Sequence, residues 1–134
     1  MASSVEGLER LKAKIAKLSE AARQQTSDAN QKSATEFMNK VAAIVPRSND
    51  PDGIELVNTL KMTEGGSGTG WIVSIGGPGA PYPAHLEFGH IGPGGNKVEA
   101  VPFWYPARRV GLKRHKNRAG RALNKAVKIT AGLS

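Results

Sequence analysis

The sequence predicts an α+β fold: a long N-terminal helix that kinks or divides near its middle, a small, mostly antiparallel β-sheet with long glycine-rich loops, and a basic C-terminal helix. Three observations carry this. Apolar residues recur at spacings of three and four through the first 45 positions, short β-rich runs alternate with glycine and proline clusters between residues 54 and 101, and helical spacing returns after Pro106 among Lys and Arg. At 134 residues the chain is the size of one ordinary domain, so residues 1–134 are expected to form a single unit.

The N-terminal helix is expected to start at Ser3, whose hydroxyl and the Glu6 carboxylate have capping-box spacing. Leu8, Leu11, Ile15, Leu18 and Ala22 form one stripe, with Lys12, Lys14, Lys17 and Glu20 off it. The stripe fades over residues 24–30 and returns in a new phase at Ala34, Phe37, Met38, Val41, Ile44 and Val45, which predicts a kink or two abutting helices ending before Pro46. Residues 46–53 read as a loop. The run 54–62 is short and apolar at both parities, and is read as a strand. Gly65, Gly66, Gly68 and Gly70 form a connector to a β-rich run at 71–75, which predicts a hairpin with a long turn. The run 82–88 reads as a strand, 89–95 as a second glycine-rich excursion and 97–101 as a short strand. Pro106 suits the first turn of a final helix reaching Thr130, weakened by Gly111 and Gly120.

The charge is unevenly placed. The formal net charge is +8 and the pI about 10.1. Nine basic residues and no acidic ones follow Ala107, whereas residues 1–107 hold ten Lys and Arg against all eleven Asp and Glu, a balance of −1. No apolar run approaches the roughly 20 residues that cross a bilayer. The first seven residues lack the apolar stretch of a secretory signal, and the absence of cysteine excludes disulfides and thiolate metal sites and fits a reducing cytosol.

Reactive constellations have little support. His85, Glu87 and His90 include metal-ligating side chains, but the spacing is not that of a helical zinc-protease motif, and a third ligand is not evident. Residues 65–70 and 76–79 fail the P-loop and dinucleotide patterns, since a strand follows where a helix is needed. With three histidines in all there are few candidate general bases. No catalytic residue, metal site or cofactor is assigned. The basic segment contains no aromatic residue, so it lacks a stacking platform for single strands, although its charge alone suffices to attract phosphates.

Two short motifs carry a resemblance. Tyr82, Pro83, Ala84, His85, Leu86, Glu87, Phe88 and Gly89, then a glycine-rich gap, then Val101, Pro102, Phe103, Trp104, Tyr105, Pro106 and Ala107 resemble the signature of the head-to-tail joining, or tail-completion, proteins of long-tailed double-stranded DNA phages. The family pattern has tyrosine and alanine leading into Glu-Phe-Gly, a variable loop, then Pro-Phe and Pro-Ala opening a final helix. Upstream, the N-terminal helix, Pro46, and Asp52, Gly53, Glu55, Leu56, Thr59, Leu60 and Lys61 fall in register, so the resemblance covers most of the chain. His90, where the family often has threonine or serine, and the strongly basic ending are departures.

The resemblance implies a virion protein made in the host cytoplasm and located at the neck. It implies a homo-oligomeric, hexameric ring that contacts a head-completion or portal-adaptor protein and the tail tube, with double-stranded DNA passing through the lumen without sequence specificity and no membrane partner. From the residues themselves, Glu87 between Leu86 and Phe88 is expected to point away from their face, free to pair with a basic residue of the last helix or of a neighbouring subunit. Pro102 and Pro106 bracket Phe103, Trp104 and Tyr105, three large side chains that a strand cannot bury on one side. The interface candidates are therefore Glu87, Phe88, Phe103, Trp104, Tyr105, Arg108, Arg109, Lys113 and Arg114. The docking-loop candidates, expected to be mobile until assembly, are Gly65, Gly66, Gly68, Gly70, His90, Gly92, Gly94 and Gly95. The alternative from a different class is a nucleic-acid-binding accessory protein that uses the basic segment, for which duplex binding with a steep salt slope is the discriminating property.

Overall fold

The computed structural model describes residues 2–47, 55–77 and 83–132, and its elements are mixed α and β. Helix α1 spans Ala2–Ile44, strands β1 and β2 span Lys61–Glu64 and Trp71–Ser74, helix α2 spans Pro83–Phe88, strands β3 and β4 span His90–Ile91 and Lys97–Val98, and helix α3 spans Trp104–Gly132. Within the described residues no helix is long and apolar enough to cross a membrane.

Helix α1 is continuous, where a kink or division was expected. Residues 24–34 contain no proline or glycine to break it, and Gln24 donates to Asp28 one turn on at 3.1 Å. The side chains of residues 2–5 lie outside the described set, and with them the Ser3 cap. Val45 N–H donates to the Val41 carbonyl and the Arg47 guanidinium to the Ala42 carbonyl. These bonds occupy acceptors that the end of an α-helix leaves open.

The expected single sheet is instead two separate antiparallel ladders. β1 and β2 pair from Lys61↔Ser74 to Glu64↔Trp71, while β3 and β4 pair only His90↔Val98 and Ile91↔Lys97. The first hairpin matches the expectation. On β2, Trp71 and Val73 are partly covered and Ile72 and Ser74 are exposed, the alternation of a ladder with one covered face.

Two expected strands differ. In the run 54–62, of which Ile54 lies outside the described residues, Leu56–Thr59 forms a 3₁₀ turn and the strand begins at Lys61. Thr59 fixes this turn, its hydroxyl donating to the Leu56 carbonyl and accepting from Gly76 N–H. In the run 82–88, of which Tyr82 is also outside, Pro83–Phe88 is a helix. Pro83 sits at its first position, where a fixed φ and a missing N–H cost nothing.

Helices α1 and α3 run against each other in opposite directions. Phe37 meets Trp104 at the start of α3, Glu36 meets Arg118 in its middle, and Thr130 near its end lies beside Leu11 and Lys17. Small side chains, Ala29 on α1 and Ala122 and Ala126 on α3, are buried in the two helices and permit close approach. The main core, Val41, Val45, Leu56, Phe103 and Ala107, lies at the other end, with Phe37, Leu60, Ile75, Leu86 and Trp104 packed around it.

Candidate assembly interface

A helix begins with backbone N–H groups that have no partner inside the helix. At the start of α3 they are met by one carboxylate: Glu87 Oε2 accepts from Phe103 N–H at 2.8 Å and Trp104 N–H at 2.9 Å, and Oε1 accepts from Tyr105 N–H at 3.0 Å. Glu87 is 8% exposed, the one charged residue buried among the described residues. Its expected outward position, free for a neighbour, is therefore corrected. Helical geometry in α2 turns Glu87 inward, and α3 itself supplies the partners. Burial pushes its carboxyl up, but the three backbone bonds outweigh this and hold it below the ordinary glutamate range. Pro106 is the third residue of α3 and has no N–H to satisfy.

Gly89 makes the corner possible. Its φ is +75°, and a Cβ there would stand 2.8 Å from the Val98 carbonyl oxygen and 3.1 Å from the Ala100 nitrogen. This close approach lets Val101 N–H donate to the Leu86 carbonyl at 2.7 Å. In the sequence Gly89 reads as a loop residue. The signal was its place directly after Glu87 and Phe88, but the crossing of a segment nine residues on is not a local feature.

The three consecutive aromatics lie at the start of α3, where an extended strand was expected, and they divide between the inside and the outside of the corner. Phe103 is 1% exposed. Trp104 packs edge-to-face on Phe37 with ring centroids 4.8 Å apart. Tyr105 and Phe88 stay 48% and 68% exposed, their rings 5.9 Å apart, beside a cleft of about 180 Å³ lined by Ile75, Pro83, Phe103 and Trp104. Glu87 and Phe103 thus hold the corner together, and Phe88 and Tyr105 face outward from it.

The cations of α3 are not all free. Arg118 lies 2.6 Å from Glu36 and donates to Ser33 Oγ at 2.9 Å; Ser33 also shares a 2.8 Å hydrogen bond with His115 Nδ1. Arg114 stands 3.6 Å from the same Glu36, so its assignment as an interface residue is only partly free of α1. The Arg118 hydrogen bond draws the Glu36 carboxyl below its ordinary range, partial desolvation opposes it, and the charges of Arg118, Arg114 and Lys40 add to it. This clasp between α1 and α3 escaped the sequence because it depends on the register of two helices. Arg108, Arg109 and Lys113 are exposed and make no ion pair among the described residues. Arg108 also borders a groove of about 550 Å³ with Phe37, Trp71, Trp104 and His115.

The docking-loop candidates fall into two places. Residues 65–70 form a turn closed by Gly65 N–H to the Gly70 carbonyl at 2.8 Å and by Gly70 N–H to Ser67 Oγ at 3.1 Å, and Asn30 pins it to α1 through the Thr69 carbonyl. Gly66 and Gly68 have open space around them. In the second loop Gly92 N–H donates to the Asn96 carbonyl and Gly95 N–H to the Gly92 carbonyl, with Gly94 and Gly95 at positive φ. His90 belongs to β3, its ring 4.8 Å from that of His85 and its Nδ1 buried without a hydrogen-bond partner. Among the described residues no group of three or more His, Cys, Asp or Glu is placed to hold a metal ion.

No protein-family model, curated protein or solved structure matches this chain.

Proposed function

We propose that the chain is a structural subunit of the head-to-tail junction of a long-tailed double-stranded DNA phage, closing into a hexameric ring between a head-completion or portal-adaptor protein and the tail tube. The observation that carries this reading is the capped corner. The two motifs of the resemblance meet there as one physical unit, Glu87 holding the amides of Phe103, Trp104 and Tyr105 while Phe88 and Tyr105 remain exposed. Folding explains the inward residues of both motifs. It does not explain an exposed phenylalanine beside an exposed tyrosine on a fixed corner, and such aromatic pairs are where binding energy concentrates at interfaces.

A ring repeats one heterologous contact by rotation, so the aromatic corner of each subunit meets a different patch on the next. The free cations Arg108, Arg109 and Lys113 support a lumen that DNA crosses without sequence readout, since phosphates are attracted by charge alone. This role is mechanical and has no catalytic step.

The paired substitution F88A/Y105A tests the contact. Because both side chains are largely exposed, the variant is expected to unfold within a few degrees of the wild type while failing to reach ring mass in sedimentation under conditions where the wild type assembles. Wild-type assembly by the double variant would overturn the proposed interface.

A further inference from the structure

The N-terminal part of α1 carries an exposed apolar seam. Leu8, Leu11, Ile15 and Leu18 are 50%, 54%, 58% and 36% exposed, and every residue from 6 to 20 is exposed. The seam is a continuation of the α1–α3 interface. Leu8 and Ile15 are spaced by sevens from Ala22 and Ala29, and Ala29 is buried at 4%. The described part of α3 reaches Gly132, with Thr130 beside Leu11 and Lys17.

Charge selects what could cover it. At about 100° per residue, Lys12 and Lys14 border the seam, one on each side, whereas Glu6, Glu9 and Glu20 fall on the far side of the helix, toward which Arg10 and Lys17 also turn. Lys12 has a weak contact to Glu9 at 3.8 Å, both side chains being well exposed. Independently of the wheel, the notch between the arm and the end of α3, about 620 Å³, is lined by Arg10, Leu11, Lys14, Lys17 and Thr130 and by no carboxylate. A second copy of the chain would bring the same cations against the same cations. A partner with carboxylates flanking its apolar stripe would be complementary at every border position.

We propose that this arm is the docking site for an acidic amphipathic helix of a different protein, with aliphatic side chains in the seam and carboxylates against the two bordering lysines, Lys12 and Lys14. The inference does not depend on the ring reading, since it uses none of the residues of the aromatic corner.

The test uses the full-length protein and two synthetic amphipathic peptides with the same leucine seam, one flanked by Glu and the other by Lys, followed by fluorescence anisotropy. The Glu peptide is expected to bind, to weaken at least tenfold in L11S/I15S, and to weaken again at high salt, while the Lys peptide does not bind. The double substitution is at exposed positions, so an unchanged melting temperature separates lost docking from lost folding. No binding of the Glu peptide, equal binding of both peptides, or undiminished binding by L11S/I15S would overturn the proposal. Self-association abolished by L11S/I15S would overturn it in favour of a second copy, and binding to phosphatidylserine vesicles without peptide binding in favour of a membrane surface.

Discussion

Glu87→Ala is expected to lower the unfolding free energy by about 2–3 kcal/mol, because it strips a charged acceptor from three backbone N–H groups and leaves buried donors unpaired. The carboxylate also opposes the positive end of the α3 dipole. Glu87→Gln should lose less, about 1–2 kcal/mol, since a carboxamide oxygen still accepts while the neutral group is a weaker acceptor. Proton linkage gives this prediction a second axis. The folded Glu87 carboxyl titrates below the ordinary glutamate value of 4.5. Its contribution is therefore fully present above that value and is lost as pH falls through the lower folded value. Denaturant titrations should show a wide gap between wild type and E87A at neutral pH that narrows in acid. Glu36, also held low, loses stability over the same range, but it does so in both proteins and cancels in the difference. A gap that is absent at neutral pH, or that widens in acid, would remove Glu87 from its role.

Gly89→Ala is expected to cost about 2–4 kcal/mol, combining the penalty of a left-handed backbone for an L residue with that of forcing a methyl into occupied space. The atom it meets is the Val98 carbonyl oxygen at 2.8 Å, which is backbone and cannot rotate away. Gly94→Ala is the matched control. That residue has φ +86° but nothing within 4 Å of the added Cβ, so only the conformational penalty of about 1–2 kcal/mol applies. Thermal unfolding of the two variants should rank Gly89→Ala clearly below Gly94→Ala. Equal melting temperatures would mean that the approach of β4 to the corner is not tight.

The parts of this fold that were legible in the sequence are those set by local periodicity. The long N-terminal helix, the final helix and the β1 and β2 pair follow from apolar spacing and turn residues. What was misread has non-local causes. Leu86, Glu87 and Phe88 alternate as a strand would, yet Pro83 opens a helix there, the same first-turn preference that pointed to helix at Pro106. The role of Glu87 was hidden because a capping acid is sought three residues from its cap, and this one lies 16 residues from the first amide it holds. The basic run looked uncompensated because the position of Glu36 opposite Arg114 and Arg118 is a property of how α1 and α3 slide against each other. The exposure of Tyr105 was legible in outline, since three consecutive aromatics cannot all face one core, whereas Phe88, expected to share a covering face with Leu86, stands 68% exposed.

Cryo-electron microscopy of particles produced from the genome that encodes this chain tests the account most directly. A ring of this polypeptide between the portal and the tail tube, with Phe88 and Tyr105 at the subunit boundary, is the expected density. A complete neck containing no copy of the chain would contradict the account.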